Sequence, residues 1–262
     1  MRSNITAWIK KDPLTAFIVF TFAISWAAWI AIYLLPMPRL LALVLNQVGL
    51  FGPFLSSVTV TGVLRGRSGI RRFVGRILQW RVGIHWYLFV LFGAAVLCAA
   101  AIGLYVLLGG NAPPVVFVVT FGSLISGVRE EYGWRGFALP HLQKEYSPLK
   151  ASIILALFWV LWHLPMMPVE LPMMPIYLLE VMAITILFTW VYNHTGGSIL
   201  LPVIYHAAYD MTLPIFKIPT ILPLILIYIV LNWILVGIII ARCGLRGKIQ
   251  DTRIRADTGP DL

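Results

Sequence analysis

The chain has 262 residues, of which 60% are hydrophobic and only 11% are charged. Its mean hydropathy of +0.89 reflects more apolar surface than one soluble core can bury, which excludes an ordinary soluble globular domain. A hydrocarbon layer about 30 Å thick needs roughly 20 apolar residues per helical span, so this length allows about eight crossings. The composition therefore predicts one membrane domain over residues 1–262, with no sizeable soluble domain.

Apolar runs follow one another along the whole chain. They lie at about 14–35, 40–64, 86–108, 115–128, 151–162, 176–192, 199–209 and 221–241. The first run is too long for the core of a signal peptide, so we expect it to be retained as a span. The short middle runs can still span where protein or a water-filled cavity covers them. This pattern predicts an all-α, polytopic bundle of about eight transmembrane helices.

The net charge of +10 comes from lysines and arginines clustered between the apolar runs. These clusters do not form one basic face, so we expect no nucleic-acid partner. With eight spans, all lysines and arginines except Arg39 and Lys217 fall on one side of the membrane. They are Arg2, Lys10, Lys11, Arg65, Arg67, Arg71, Arg72, Arg76, Arg81, Arg129, Arg135, Lys144, Lys150, Arg242, Arg246, Lys248, Arg253 and Arg255. The positive-inside rule then predicts that this side and both termini are cytoplasmic.

Two segments outside the apolar runs have their own predictions. Residues 65–85 mix arginines with apolar residues at helical spacing, which predicts an interfacial amphipathic helix on the anionic inner leaflet. Residues 244–262 are polar and predict a cytoplasmic tail. Cys98 and Cys243 lie far apart, so neither a disulfide framework nor a CxxC site is expected. The short loops, with no signal peptide or organelle address, favour the inner membrane of a bacterium or archaeon.

Ionisable side chains at membrane depth cost a few kcal/mol each, so those that remain are paired or functional. At the end of the fourth run, Glu131 and Arg135 stand four residues apart and can pair on one helix face. Glu130 points about 100° away around the helix axis and is left free to face a cavity. The alternative is a cluster of charges that snorkel at a helix end.

Two histidine positions complete the set of candidate residues. His163 ends an apolar run, and His206 shares a helix face with Asp210 four residues later. Taken singly, each fits a structural role, either at a helix end or as a hydrogen-bonded strut. Together with Glu130 they supply what a hydrolytic centre needs, namely a base near a water and donors or a metal for an oxyanion.

The three positions form a recognisable series of motifs. The boxes read Glu130-Glu131…Arg135, Trp159…His163 and His206…Asp210. In this order and spacing, residues 122–211 resemble the catalytic core of the type II CAAX prenyl endopeptidases and bacteriocin-processing proteins, the CPBP or Abi family. Trp159 replaces the usual Phe, a change expected to alter packing only. Asp210 stands where the eukaryotic endopeptidases of the family have Asn.

The resemblance implies roles for these residues. Glu130 would activate a water that His163 orients, and His206 and Asp210 would stabilise the tetrahedral intermediate. Glu131 and Arg135 would form a structural pair beside them. The competing interpretation is a metalloprotease in which Glu130, His163, His206 and Asp210 hold a zinc ion, since neutral imidazoles and carboxylates suit Zn²⁺. The metal-independent route is slightly favoured.

The resemblance further implies an intramembrane endopeptidase acting on a prenylated CAAX-type or other membrane-associated peptide or lipidated protein. Its cavity would open toward the cytoplasmic leaflet. The alternatives are a non-proteolytic scaffold or bacteriocin immunity protein, and a small transporter, against which stands the lack of an inverted repeat. His85, His141 and His194 are expected to be interfacial or structural. The methionines at 166–174 are expected to form an adaptable apolar lid, in preference to a copper site.

Overall fold

The computed structural model describes residues 2–115, 121–166, 171–215 and 218–246, and in these ranges the regular elements are all helical. The helices are α1 Arg2–Lys11, α2 Pro13–Leu34, α3 Arg39–Leu50, α4 Gly52–Gly75, α5 Ile84–Leu107, α6 Phe121–Gly133, α7 Leu139–Glu145, α8 Pro148–His163, α9 Met174–His194, α10 Leu200–Ile215 and α11 Leu222–Arg242. Short 3₁₀ turns lie at Arg76–Leu78, Leu171–Met173 and Ile218–Thr220, and a π-helical turn lies at Trp134–Ala138.

Four helices, α2, α5, α9 and α11, are long and apolar enough to cross a membrane. The pair α3 and α4 qualifies together as a fifth span, bent by 54°. The break falls at Phe51, directly before Gly52 and Pro53, because proline fits the first turn of a new helix but not the middle of a continuous one. The prediction of an all-helical integral membrane protein is confirmed, whereas the number of about eight spans and the cytoplasmic termini stay predictions.

Glycines let α6 pack closely against its neighbours. A Cβ at Gly127 would lie 2.3 Å from the carbonyl oxygen of Val203 in α10, so the two backbones meet there. A Cβ at Gly133 would lie 2.5 Å from Pro53 of α4. Beyond Gly133 the backbone stays helical through the π-helical turn into α7, so residues 121–145 form one continuous path. Small residues thus hold α6 between α4 and α10.

The segment predicted as an amphipathic helix over residues 65–85 is helical only in part. The helix α4 breaks at Gly66, whose φ of 63° is a conformation that glycine adopts without steric cost, and it resumes to Gly75. After the 3₁₀ turn, residues 79–83 connect to α5 without regular structure. The location of this segment on the membrane surface stays a prediction. Most of the tail predicted over residues 244–262 lies outside the described residues, beyond Arg246.

The helix ends gather at two opposite ends of the bundle. We call one of them the basic end, where α4, α7, α9 and α11 end and α5, α8 and α10 begin. Side-chain hydrogen bonds join its parts: Asn193 donates to the carbonyl of Leu245 at 2.8 Å, and Ser198 donates to that of Gln79 at 2.8 Å. The far end is the opposite one, where α2, α5, α8 and α10 end. There Trp26 donates to the carbonyl of Trp162 at 3.1 Å.

Candidate active site

The innermost part of the site is a buried ion pair on α6 and the π-helical turn. Nη1 of Arg135 lies 2.9 Å from Oε1 of Glu131, and both side chains are fully buried. The guanidinium lies over the rings of Trp159 and Phe188, 4.6 and 4.7 Å from their centroids. A delocalised cation suits this position because it is weakly hydrated and stacks on aromatic faces. The structure therefore contains the pair expected from the four-residue spacing.

Glu131 also holds a histidine of the site, a contact that the sequence analysis missed. Nδ1 of His206 on α10 lies 2.7 Å from Oε1 of Glu131. A carboxylate oxygen accepts, so Nδ1 carries the hydrogen and the opposite ring nitrogen, Nε2, points away from Glu131. Nε2 lies 3.6 Å from Oδ2 of Asp210, which is beyond hydrogen-bond distance. Glu131 thereby sets the orientation of His206.

Glu130 faces a different set of partners on α8. Its Oε2 accepts a hydrogen bond of 2.7 Å from Nε1 of Trp159. The same oxygen lies 4.0 Å from Nε2 of His163, whose Nδ1 donates to the carbonyl of Trp159 at 2.8 Å. Nε2 of His163 therefore presents a lone pair toward Glu130 when the ring is neutral. The expectation that Trp159 alters packing only is wrong, because its indole supplies a donor that phenylalanine lacks.

Two further polar groups near the site, Arg129 and Tyr209, were not considered as parts of the site in the sequence analysis. Arg129, directly before Glu130, is buried and donates to the carbonyl of Gly122 at 3.0 Å and to Oε1 of Gln47 at 3.3 Å. The hydroxyl of Tyr209, next to Asp210, donates to Glu180 of α9. A carboxylate inside the apolar run 176–192 is itself a signal of function or pairing, and it could have been found.

The histidines expected to be structural have local partners. Nδ1 of His141 donates to the carbonyl of Phe137 at 2.7 Å, and Nδ1 of His194 donates to that of Trp190 at 3.0 Å. His85 packs against the ring of Trp86. Part of the methionine cluster predicted as a lid, including Met167, lies outside the described residues.

The residues predicted as zinc ligands are Glu130, His163, His206 and Asp210. Within the described ranges, no three His, Cys, Asp or Glu side chains converge as a metal site requires. Oε2 of Glu130 already accepts a hydrogen bond from the indole of Trp159. The nitrogen of His206 that would bind a metal, Nε2, faces Oδ2 of Asp210 at 3.6 Å. This arrangement does not fit a zinc ion, and a zinc site stays an alternative prediction.

Comparison with known proteins points to the same part of the chain. Residues 111–212 match the model of a family described as type II CAAX prenyl endopeptidase Rce1-like. The chain is also 29% identical over 181 residues to a CAAX prenyl protease 2 from Methanococcus maripaludis, a match that covers 60% of this chain and 67% of that protein. The family match spans the candidate residues of α6, α8 and α10. The resemblance to type II CAAX prenyl endopeptidases is confirmed, and the bacteriocin-processing part of it stays a prediction.

Proposed function

We propose that this integral membrane protein is an intramembrane endopeptidase that hydrolyses a peptide bond by means of a water activated by Glu130. The substrate class suggested by the similarity is a prenylated CAAX-type C-terminus or another membrane-associated peptide. The observation that carries the proposal is the contrast between two adjacent buried carboxylates. Glu131 is neutralised by Arg135, whereas Glu130 has no lysine or arginine ion-pair partner among the described residues and faces His163.

The reaction begins with a water bound between Glu130 and His163. The water donates one hydrogen bond to the carboxylate and one to Nε2 of His163, which leaves an oxygen lone pair free to attack the scissile carbonyl carbon. Glu130 takes the proton as the new C–O bond forms, and a tetrahedral intermediate results. When the C–N bond breaks, the proton passes from Glu130 to the leaving amine.

His206 is assigned to the oxyanion of that intermediate. Its Nδ1 is held by Glu131, and Nε2 donates to the oxyanion when the ring carries a positive charge. Asp210 lies 3.6 Å from Nε2 and is partly exposed, so we assign it to stabilising that positive charge. An ionised Asp cannot itself donate a hydrogen bond to an oxyanion. Glu131 is a positioning residue in this scheme.

The test is cleavage by the protein purified in detergent, with a farnesylated C-terminal peptide and its unmodified counterpart as substrates. Glu130→Gln should lower the rate by about 10²–10⁴-fold, the range of a lost general base, without changing expression or elution. Glu145→Gln is the matched control, because Glu145 is an exposed carboxylate at the other end of the same helical path. Wild-type rates in Glu130→Gln would overturn the assignment of the base. No cleavage of either peptide by wild type would favour a non-proteolytic scaffold.

The zinc alternative has its own measurement. The proposal predicts that wild-type protein contains no stoichiometric zinc and that a chelator leaves cleavage unchanged. Zinc at one ion per chain that is lost in His206→Ala, together with cleavage inhibited by the chelator, would replace the water-activation scheme by a metalloprotease.

A further inference from the structure

Two arginines are buried among the described residues, and they differ in what balances their charge. Arg135 forms the ion pair with Glu131. Arg129 is only 5% exposed. No carboxylate of the described residues forms an ion pair with it. A buried guanidinium without a paired anion is unfavourable, so Arg129 is a candidate for binding one.

The contacts of Arg129 use only part of its hydrogen-bonding capacity. Its Nη2 donates to the carbonyl of Gly122 and its Nη1 donates to Oε1 of Gln47, and both acceptors are neutral. Its Nε is buried and has no hydrogen-bond partner among the described residues. In a guanidinium, Nε and a neighbouring amino nitrogen form an edge that binds a carboxylate through a pair of parallel hydrogen bonds. That edge of Arg129 is therefore available to an anionic ligand.

The position of Arg129 relates this edge to the reacting groups. Arg129 directly precedes Glu130 on α6, and the two side chains leave the helix about 100° apart. The guanidinium reaches the carbonyl of Gly122, seven residues earlier, so it lies nearer the start of α6 than the carboxylate of Glu130 does. Its charge attracts those of Glu130 and Asp210. A peptide that meets Glu130 with one bond can thus meet Arg129 with a group a few residues away.

The other partner of the guanidinium shows that this region is not sealed from outside. Gln47 of α3, which accepts from Nη1, is exposed. The buried arginine therefore extends from α6 to a residue at the surface of the described bundle. A ligand that enters between α3 and α6 needs to pass no further charged layer before it reaches the guanidinium.

The chemistry of peptides narrows the choice of anion. Aspartate and glutamate side chains are costly at membrane depth, so a peptide that enters an apolar bundle carries few of them. The terminal carboxylate is the one anion that a peptide offers whatever its sequence. An internal segment of a chain has no such group.

We infer that the guanidinium of Arg129 binds the free C-terminal carboxylate of the peptide substrate. The inference rests on the proposed function, because it concerns the substrate of the same site. The contact holds the end of the chain while Glu130 acts on a bond a few residues before it. The protein therefore selects bonds near a C-terminus and rejects the middle of a longer chain.

The test is the binding of two farnesylated peptides of identical sequence, each with a fluorophore at its N-terminus. One ends in a free carboxylate and the other in a carboxamide. Fluorescence anisotropy with the full-length protein in detergent gives both affinities, and Glu130→Gln is the background that prevents cleavage. The carboxylate peptide should bind about 10- to 100-fold more tightly, the range expected for charge-assisted hydrogen bonds. Equal affinities would overturn the inference without any substitution at Arg129.

Substitutions in the same background then assign the preference to one residue. Arg129→Gln should bring the ratio of the two affinities close to one, and a retained ratio would overturn the assignment. Arg71→Gln is the matched control, since Arg71 is exposed on α4, and it should keep the ratio. Arg129→Lys keeps the charge and is the milder change at a buried site, but it lacks the bidentate edge. It should keep only part of the preference, and a full preference would overturn the bidentate contact.

Cleavage by the protein with Glu130 intact separates this inference from the proposed function. A preference for the carboxylate peptide in binding, with no cleavage of either peptide, would reject the proposed function alone. Cleavage of both peptides with equal kcat/KM and equal affinities would reject the carboxylate site alone. We expect cleavage of the carboxylate peptide with the higher kcat/KM.

Discussion

Glu130 and Glu131 are adjacent in the chain but belong to two layers of the site with different physical properties. In the inner layer, Glu131 is balanced by Arg135 and hydrogen-bonded to His206, so its charge is fixed in place. In the outer layer, Glu130 meets neutral partners, the indole of Trp159 and the ring of His163. A carboxylate that is paired with a cation, such as Glu131, is held in place and holds its neighbours. A carboxylate with neutral partners, such as Glu130, remains able to accept a proton. In the proposed reaction the inner layer therefore positions His206, and the outer layer takes part in proton transfer.

The largest effect is expected when a substitution disrupts the inner layer. Arg135→Met removes the arginine that neutralises the buried Glu131 and leaves it only the contact with His206, which should lower the free energy of unfolding by about 3–5 kcal/mol. The double variant Glu131→Leu with Arg135→Met removes both charges and should recover most of that stability, measured by thermal melting in detergent. Cleavage should stay low in the double variant, because His206 has lost its carboxylate. Cleavage at the wild-type rate by a stable double variant would show that Glu131 and Arg135 have only a structural role.

A smaller effect is expected when α6 and α10, which carry residues of the site, are pushed apart. Gly127→Ala places a Cβ at 2.3 Å from the carbonyl oxygen of Val203, so α10 must shift away from α6. Overpacking of this kind costs about 1–3 kcal/mol, and the shift should also lower kcat by moving His206 away from Glu131. Gly103→Ala in α5 is the control, since a Cβ there meets nothing within 4 Å. Equal melting temperatures and rates for the two variants would contradict this packing.

Within the outer layer, Trp159→Phe tests the indole donor while retaining an aromatic ring. A hydrogen bond to a charged group contributes about 1.5–3 kcal/mol, and the lower figure corresponds to about a tenfold loss in kcat/KM. Trp190→Phe is the matched control, because its Nε1 has no hydrogen-bond partner among the described residues. If both substitutions leave kcat/KM unchanged, Trp159 contributes packing alone, as the sequence first indicated.

The smallest effect is expected at Asp210→Asn, which introduces the residue that the resemblance associates with the eukaryotic endopeptidases. Asp210 is partly exposed and lies 3.6 Å from His206, so its charge contributes at most about 1 kcal/mol, or about a fivefold change in kcat/KM. The dependence of kcat/KM on salt should weaken in the variant because a screened charge has been removed. A loss of several hundredfold would show that Asp210 belongs with Glu130 among the reacting groups.

The local parts of this site could be predicted because they lie within single helices. The pairing of Glu131 with Arg135 and the proximity of His206 to Asp210 follow from i, i+4 spacing, a fixed property of the α-helix. The bend between α3 and α4 was not predicted, because residues 40–64 form one apolar run in the sequence. The contact between His206 and Glu131 was not visible, because its partners are 75 residues apart and meet only where Gly127 lets α6 approach α10.

Composition and residue order were enough to identify a helical membrane protein and to predict its orientation and the residue types of its candidate site. These properties depend on the cost of burying charge in lipid and on helical periodicity, both of which act on each segment separately. Tertiary structure decided which carboxylate is neutralised, which ring donates to Glu130 and which carboxylate holds His206. Those properties depend on packing between helices, where a difference of a few ångströms determines whether two polar groups bond or stay free.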